Sequence, residues 1–390
     1  MDKGGAPNSS GIDSNNIATV HIALFSQIVH SAQDVGLQVQ LTMMSFSPFQ
    51  ISLCWAVLSA ILFGLCSYLI LVLEKIPGVS SNVKLGMIWS YCGTIVVVPF
   101  ALKSRNPWFE HYPDHLRRRT IGVAISMLGG ISMGFSFVCL QNAFAIDPRN
   151  AAPLQAVVAA DVIVFAIYCH FVYNEKLNSI QWFSVILLVV SIAVMSLGAS
   201  TDASDDIEEV STERHQDAIV WAFGGMCCFF LLNITLRLRF TFPITPSGDF
   251  SFRMLTVGAM GLVTLTVSAY TGSFQKEMLP LSARTWHLWG LSLAVAFLQG
   301  LGTSAVVQAF KHPASSNITV AIMGCGCIVV LVLEVVFDRV LPGMWQLAGM
   351  ALAVVSVMLM SLSGRDYSHP CSDAVSSPVS SPVSPPYGAF

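Results

Sequence analysis

The apolar residues of this chain are gathered into blocks of about 20, each closed by charges or by Pro/Gly-containing turns. That arrangement restricts the fold more than any motif does. A run of about 20 apolar residues without amphipathic striping has no polar face to give to water, and a helix of that length spans the hydrocarbon of a bilayer. Composition agrees: 54% of the 390 residues are apolar and 11% are charged, with a mean hydropathy of +0.68. Soluble domains carry nearer a quarter charged residues. The expected fold is an all-α polytopic membrane protein with about ten transmembrane helices, roughly 52–73, 85–102, 120–143, 151–172, 180–199, 217–237, 253–272, 286–308, 314–337 and 343–363. A net charge of −3, from 19 Lys+Arg against 22 Asp+Glu, argues against a nucleic-acid partner.

Cysteine placement points inward. Cys54, Cys66, Cys92, Cys139, Cys169, Cys227, Cys228, Cys325 and Cys327 lie in apolar blocks, Cys371 lies in a polar tail, and no CxxC pair occurs. Cys325 and Cys327 would point to opposite sides of a helix, so packing by small residues outweighs a metal site, and no zinc site or disulfide framework is expected.

Between and around the blocks the composition changes. Residues 1–50 form a flexible or interfacial arm, broken by His21, His30, Gln33, Asp34 and Gln38 and lacking the features of a signal or transit peptide. Residues 51–199 and 217–364 hold five spans each, joined by an acidic linker over 200–216. Residues 365–390, with Ser377-Pro378, Ser381-Pro382 and Ser384-Pro385-Pro386, form a disordered Ser/Pro-rich tail. With the N-terminus in the cytosol, inside segments hold 12 of the 19 basic residues: Lys3, Lys103, Arg105, Arg117, Arg118, Arg119, Lys176, Arg237, Arg239, Arg253, Lys311 and Arg365. The positive-inside rule therefore places both termini in the cytosol. Which membrane holds the protein is not written in the sequence.

The two sets of five spans resemble one another. Gln141-Asn142-Ala143-Phe144 leaves the third span as Gln308-Ala309-Phe310 leaves the eighth. The fourth span ends at Asn174-Glu175-Lys176 and the ninth at Asp338-Arg339, each with a Trp seven residues past its acid (Trp182, Trp345). The next spans close with Met195-Ser196-Leu197 and Met360-Ser361-Leu362. An odd number of spans per copy inverts the second copy in the membrane, which sets a substrate site between the copies near the midplane.

The stretch from Asn142 to Gly198, with Ala143-Phe144, the Pro-initiated Asn150-Ala151-Ala152-Pro153, the helix-ending Asn174-Glu175-Lys176-Leu177 and the Gln181-Trp182 entry, resembles the EamA-like drug/metabolite transporter (DMT) superfamily. Gln308 to Gly364 fits less closely, with Asp338-Arg339 at the acidic position. The resemblance covers residues 52–364 and implies a ten-helix carrier moving small organic metabolites by alternating access, without a bound cofactor. Its partners would be a small-molecule solute, a proton where transport is coupled, and the lipid bilayer; the sequence leaves a homodimer open.

Ionisable groups inside hydrocarbon are costly and are functional candidates first. Asp161 sits about ten residues from either end of the fourth span, hence near the midplane, and on a continuous helix shares a face with Val158, Phe165 and Tyr168. Desolvation favours the neutral form of a carboxyl, which suits proton exchange, whereas a cationic solute would hold it ionised. Glu334 is the second candidate for coupling or substrate contact, while Glu175 and Asp338 read as loop-shaping groups. Tyr68, Trp89, Tyr91, Gln141, Asn142, Asn233, Gln299 and Gln308 supply neutral polar groups, each also able to serve as an ordinary helix–helix hydrogen bond. Gly129-Gly130 and Gln299-Gly300-Leu301-Gly302 mark close helix approach. No Lys or Arg falls in the central part of a span, which favours neutral or cationic solutes over phosphorylated ones; nucleotide-sugar or sugar-phosphate antiport is the alternative. An enzyme is disfavoured because no HExxH, GxSxG or Walker-type loop is present. A channel is disfavoured by the nearly uniform apolarity of spans 5, 7 and 10. A scaffold or receptor derived from a carrier stays in the comparison.

Overall fold

The computed structural model describes residues 48–102, 116–173, 177–201, 208–278, 283–310, 316–339 and 343–363. The N-terminal arm before residue 48, Glu175, residues 202–207 of the acidic linker and the Ser/Pro-rich tail lie outside the described residues. Helices fall on every apolar block. They are α1 (Pro48–Glu74), α2 (Ser81–Leu102), α3 (Leu116–Ile146), α4 (Ala151–Val158), α5 (Asp161–Val172), α6 (Ser179–Thr201), α7 (Glu208–Leu238), α8 (Pro246–Tyr270), a short α9 (Ser273–Met278), α10 (Ala283–Ala309), α11 (Ser316–Gly324), α12 (Gly326–Leu333) and α13 (Met344–Ser363). No β-strand occurs among the described residues. By length and apolarity, seven stretches among the described residues can cross a membrane: 50–74, 116–146, 151–172, 216–238, 246–270, 285–309 and 319–338. Lipid explains the outer surface too, where Phe183, Ile186, Phe223, Leu262, Val263 and Met358 are exposed. This is an all-α, multi-pass membrane protein. Helix α7 reaches back to Glu208, so part of the acidic linker is helical.

The principal packing partners are α1 with α10, α2 with α8, α3 with α7 and α6 with α13. In each pair one helix precedes the acidic stretch and one follows it. Helices α2 and α8 meet backbone to backbone: a Cβ built on Gly258 would lie 2.5 Å from the Gly93 Cα, and one on Gly93 would lie 2.9 Å from the Gly258 Cα. Close approach of this kind is how helices gain dispersion contact where lipid removes the hydrophobic drive between them.

Helices α6 and α13 are stitched by a reciprocal pair of bonds. The Ser191 hydroxyl donates to the Gly349 carbonyl at 2.7 Å, and the Ser356 hydroxyl donates to the Ser184 carbonyl at 2.7 Å. Ser184 and Gly349 are 165 positions apart, as are Ser191 and Ser356, and as are Gly93 and Gly258. The same spacing relates the two helix entries: the Asn178 amide donates to Gln181 Oε1 at 2.9 Å, and the Gly343 amide donates to Gln346 Oε1 at 3.2 Å. Thus Gln181 and Gln346, not the tryptophans read from the sequence, occupy equivalent places.

The fourth span is not one continuous helix. It breaks at Ala159 and Ala160, where the Ala160 amide bonds the Val157 carbonyl at 3.1 Å in a tighter turn. The ninth block breaks at Cys325, 165 positions after Ala160, with the Cys325 amide on the Ile322 carbonyl at 3.0 Å. Small side chains let the breaks pack together: a Cβ on Gly324 would lie 3.2 Å from Val162 and 3.5 Å from the Ala159 Cβ. An apolar crevice lined by Ala156, Ala159, Leu188, Ala321, Gly324 and Cys325 lies here. Beyond α12, a wider π-turn over Glu334–Asp338 ends at Arg339, whose φ of 56° is left-handed.

Candidate functional site

The break fixes the placing of Asp161. It becomes the first residue of α5, immediately after the break. Its side chain is 6% exposed, and its Oδ2 accepts from Asn233 Nδ2 of α7 at 2.6 Å. Two candidates from opposite sides of the acidic stretch therefore meet, and Asn233 Oδ1 is buried without a protein partner. Because the helix breaks here, Val158 ends α4 and Asp161 opens α5, a correction to the reading of one continuous helix. Phe165 and Tyr168 remain on α5. Phe165 packs edge-on against Phe310 at 6.5 Å, and Tyr168 meets Tyr173 and Phe230 at 5.8 Å each. Arg237 covers the Tyr173 ring at 5.1 Å, tying α7 to the end of α5.

Glu334 is placed elsewhere. It lies in the π-turn after α12 and is 6% exposed. Asp338, one turn on, pairs with Lys75, just past the end of α1, at 2.9 Å. Tyr91 of α2 meets Trp289 of α10 at 6.4 Å. Gln299 of α10 is fully buried and accepts a contact from Cys92 Sγ at 3.5 Å, while its Nε2 and the Trp89 Nε1 have no protein partner. Asn142 and Gln308 are half-buried near the ends of α3 and α10. The candidates thus form an Asp161–Asn233 centre, an α2/α10 seam and an end group around Glu334, not one pocket.

Gln141 leads to a feature that sequence reasoning missed. Its amide donates to Glu74 Oε1 and, at 3.3 Å, to the Ser81 carbonyl. Glu74 in turn receives Lys84 Nζ at 3.2 Å and the Ser81 hydroxyl at 3.1 Å, with both charged side chains under 10% exposed. The end of α1, the start of α2 and the end of α3 are therefore pinned by one ion pair.

A second buried ionic cluster joins α7, α8 and α3. Asp249, fully buried, accepts from Arg253 Nε at 3.0 Å, from Arg239 Nη1 at 3.4 Å and from the Ser126 hydroxyl at 2.6 Å. Arg253 is also fully buried; its Nη1 reaches Thr235 Oγ1 at 2.9 Å, while its Nη2 has no protein partner. Arg239 Nη2 reaches the Val307 carbonyl at 3.3 Å. Arg253, Arg239 and Lys84 lie towards or just beyond helix ends, clear of the span centres as expected, and are buried against acidic partners there. The available signal was Gly129-Gly130 on α3, which leaves the space that the Arg253 side chain fills.

Two comparisons with known proteins give matches. Residues 53–237, just under half of the chain, match the model of the UAA transporter family, which belongs to the DMT superfamily. The expected resemblance holds at superfamily level, and the match does not specify the EamA-like subgroup. That the matched family is one of transporters agrees with the reading of a carrier, not an enzyme. No curated protein matches the chain. A solved structure, described only as a crystal structure of protein, has a TM-score of 0.52 and 14% identity, over 83% of this chain and 99% of its own. At that identity the likeness is one of fold. This multi-pass membrane protein is therefore similar over its first six apolar blocks to the UAA transporter family, and over most of its length, in fold alone, to one solved structure.

Proposed function

We propose that the protein is a secondary-active carrier of a small organic solute, built from two inverted five-helix repeats that alternate access about their interface. The observation that carries this reading is the recurrence of one 165-residue spacing in the α2/α8 glycine contact, the α6/α13 hydrogen bonds and the two helix breaks. An odd-numbered repeat is inverted by necessity, and broken helices that face each other near the midplane are where such carriers build their sites. The UAA match supports the transporter class. Both termini lie in the cytosol in this reading, by the distribution of basic residues. Asp161 and Asn233 bridge the repeats, so solute or a proton at this pair would act on their relative position; a neutral or cationic solute suits the acid.

One observation favours a second substrate class. Arg239 and Arg253 bring two positive charges against one Asp249, and Arg253 Nη2 is unpaired. A surplus guanidinium is suited to a phosphate or carboxylate, as nucleotide-sugar or sugar-phosphate antiport would need. Uptake into proteoliposomes, with and without a pH gradient, separates the readings when amino acids, amines, sugars and nucleotide sugars are offered to wild type and Asp161→Asn. Gradient-driven uptake of a neutral or cationic solute, lost in Asp161→Asn, is expected; uptake confined to nucleotide sugars would transfer the assignment to the second class.

A further inference from the structure

The two buried ionic clusters stand in equivalent places with their charges reversed. Glu74 and Arg239 are 165 positions apart, and so are Lys84 and Asp249: the acid of one cluster corresponds to a base of the other in both cases. Each cluster joins the end of one helix to the start of the next. In the repeat reading they cap opposite ends of the α2/α8 crossing.

Their hydroxyl partners differ in one respect. At the arginine-containing cluster, Ser126 of α3 donates to Asp249 of α8 at 2.6 Å, a bond between the two halves of the chain. Helices α3 and α10 correspond with a spacing of 166, which aligns Gly134 with Gly300, Ala143 with Ala309 and Phe144 with Phe310. That register places Ser292 of α10 opposite α2 as Ser126 stands opposite α8. The Ser292 hydroxyl is fully buried and has no hydrogen-bond partner. A buried hydroxyl without a partner costs its desolvation in this state, and a state that gave it a partner would recover that cost.

We infer that Ser126 and Ser292 are alternating latches of the carrier cycle: Ser126 holds Asp249 in the conformation described here, and Ser292 pairs with the Glu74–Lys84 cluster in the opposite one. This rests on the alternating-access reading. Because Lys84 stands where Asp249 stands in the other cluster, the Ser292 hydroxyl accepts where Ser126 donates, so the two ends respond separately to substitution.

Hydrogen exchange on the full-length protein in lipid nanodiscs, followed by mass spectrometry over residues 239–253, tests this without any solute. Ser126→Ala, which removes a bond to a charged group, should speed exchange roughly tenfold there. Ser292→Ala should slow it, since the opposite conformation loses its latch, and the double variant should return towards wild type. Ser292→Thr, which keeps the hydroxyl, should exchange as wild type does and reports whether the site tolerates change. Unchanged exchange in Ser292→Ala, or faster exchange in both alanine variants, would overturn the proposal. Failure to move any solute would instead count against the carrier reading, because opposite-sign exchange shifts would still be seen.

Discussion

Gly129 of α3 lies directly beneath the guanidinium of Arg253 on α8: a Cβ on Gly129 would fall 1.7 Å from Nη1. The guanidinium cannot withdraw, because Nε is held by Asp249 and Nη1 by Thr235. Gly129→Ala should therefore cost about 1–3 kcal/mol, the range for forcing an extra methyl into a packed interior. Thermal unfolding of the detergent-solubilised protein, followed by loss of the monodisperse species, measures it. Substitution of Gly290, whose Cβ would meet nothing within 4 Å, serves as a control and should be near neutral.

The Glu74–Lys84 pair offers a test by double-mutant cycle. Removing one member leaves a charge buried in a low-dielectric site, so Lys84→Met alone should lose about 3–5 kcal/mol. Glu74→Gln with Lys84→Met should recover much of that loss, since no uncompensated charge remains. Unfolding measurements on the two single variants and the double variant separate the pair from packing at each position.

Lys75–Asp338 has similar geometry, at 2.9 Å, but a different environment, with the Lys75 side chain 43% exposed. Water screens it, and exposed ion pairs contribute about 0–1 kcal/mol. Lys75→Ala should shift the unfolding temperature far less than Lys84→Met in the same assay.

The α6/α13 stitch should behave as two equal halves. Ser191→Ala and Ser356→Ala each delete one hydroxyl-to-carbonyl bond at 2.7 Å, and interhelical bonds in membrane proteins average about 0.6 kcal/mol. The two losses should match within error and add in the double variant, as read by the same unfolding measurement.

Much of this arrangement can be read from residues, and the remainder is hidden for definite reasons. Block lengths locate the helices because lipid demands runs of apolar residues whatever lies beside them. Asp161 and Asn233 are both visible as polar residues in hydrocarbon, but their pairing depends on how α5 meets α7, which no local pattern records. The break at Ala159-Ala160 is invisible for a sharper reason: alanine is the best helix former, so the turn is imposed by packing against Gly324 and Cys325. At Cys325 the flanking Gly324 and Gly326 did carry a signal. Lys84 and Arg253 escaped because a charge near a span end reads as a loop or headgroup charge, and only the facing side chains show that Glu74 and Asp249 neutralise it. The tryptophan correspondence between Trp182 and Trp345 was a coincidence of composition, displaced by the Gln181 and Gln346 caps.

The ionic clusters bear on how the protein is made. Helix α8 enters the bilayer carrying Asp249 and Arg253, and α2 enters carrying Lys84. On insertion scales such a charge costs about 2.5–3.5 kcal/mol at the helix centre. The side chains that bond the charged groups of α8 from outside it are already present when it is synthesised, since Ser126, Thr235 and Arg239 all precede it in the chain. Glu74 likewise precedes Lys84. Order of synthesis thus delivers the acceptor surface before the costly helix, so α8 is expected to leave the insertion machinery against α3 and α7, not alone into lipid.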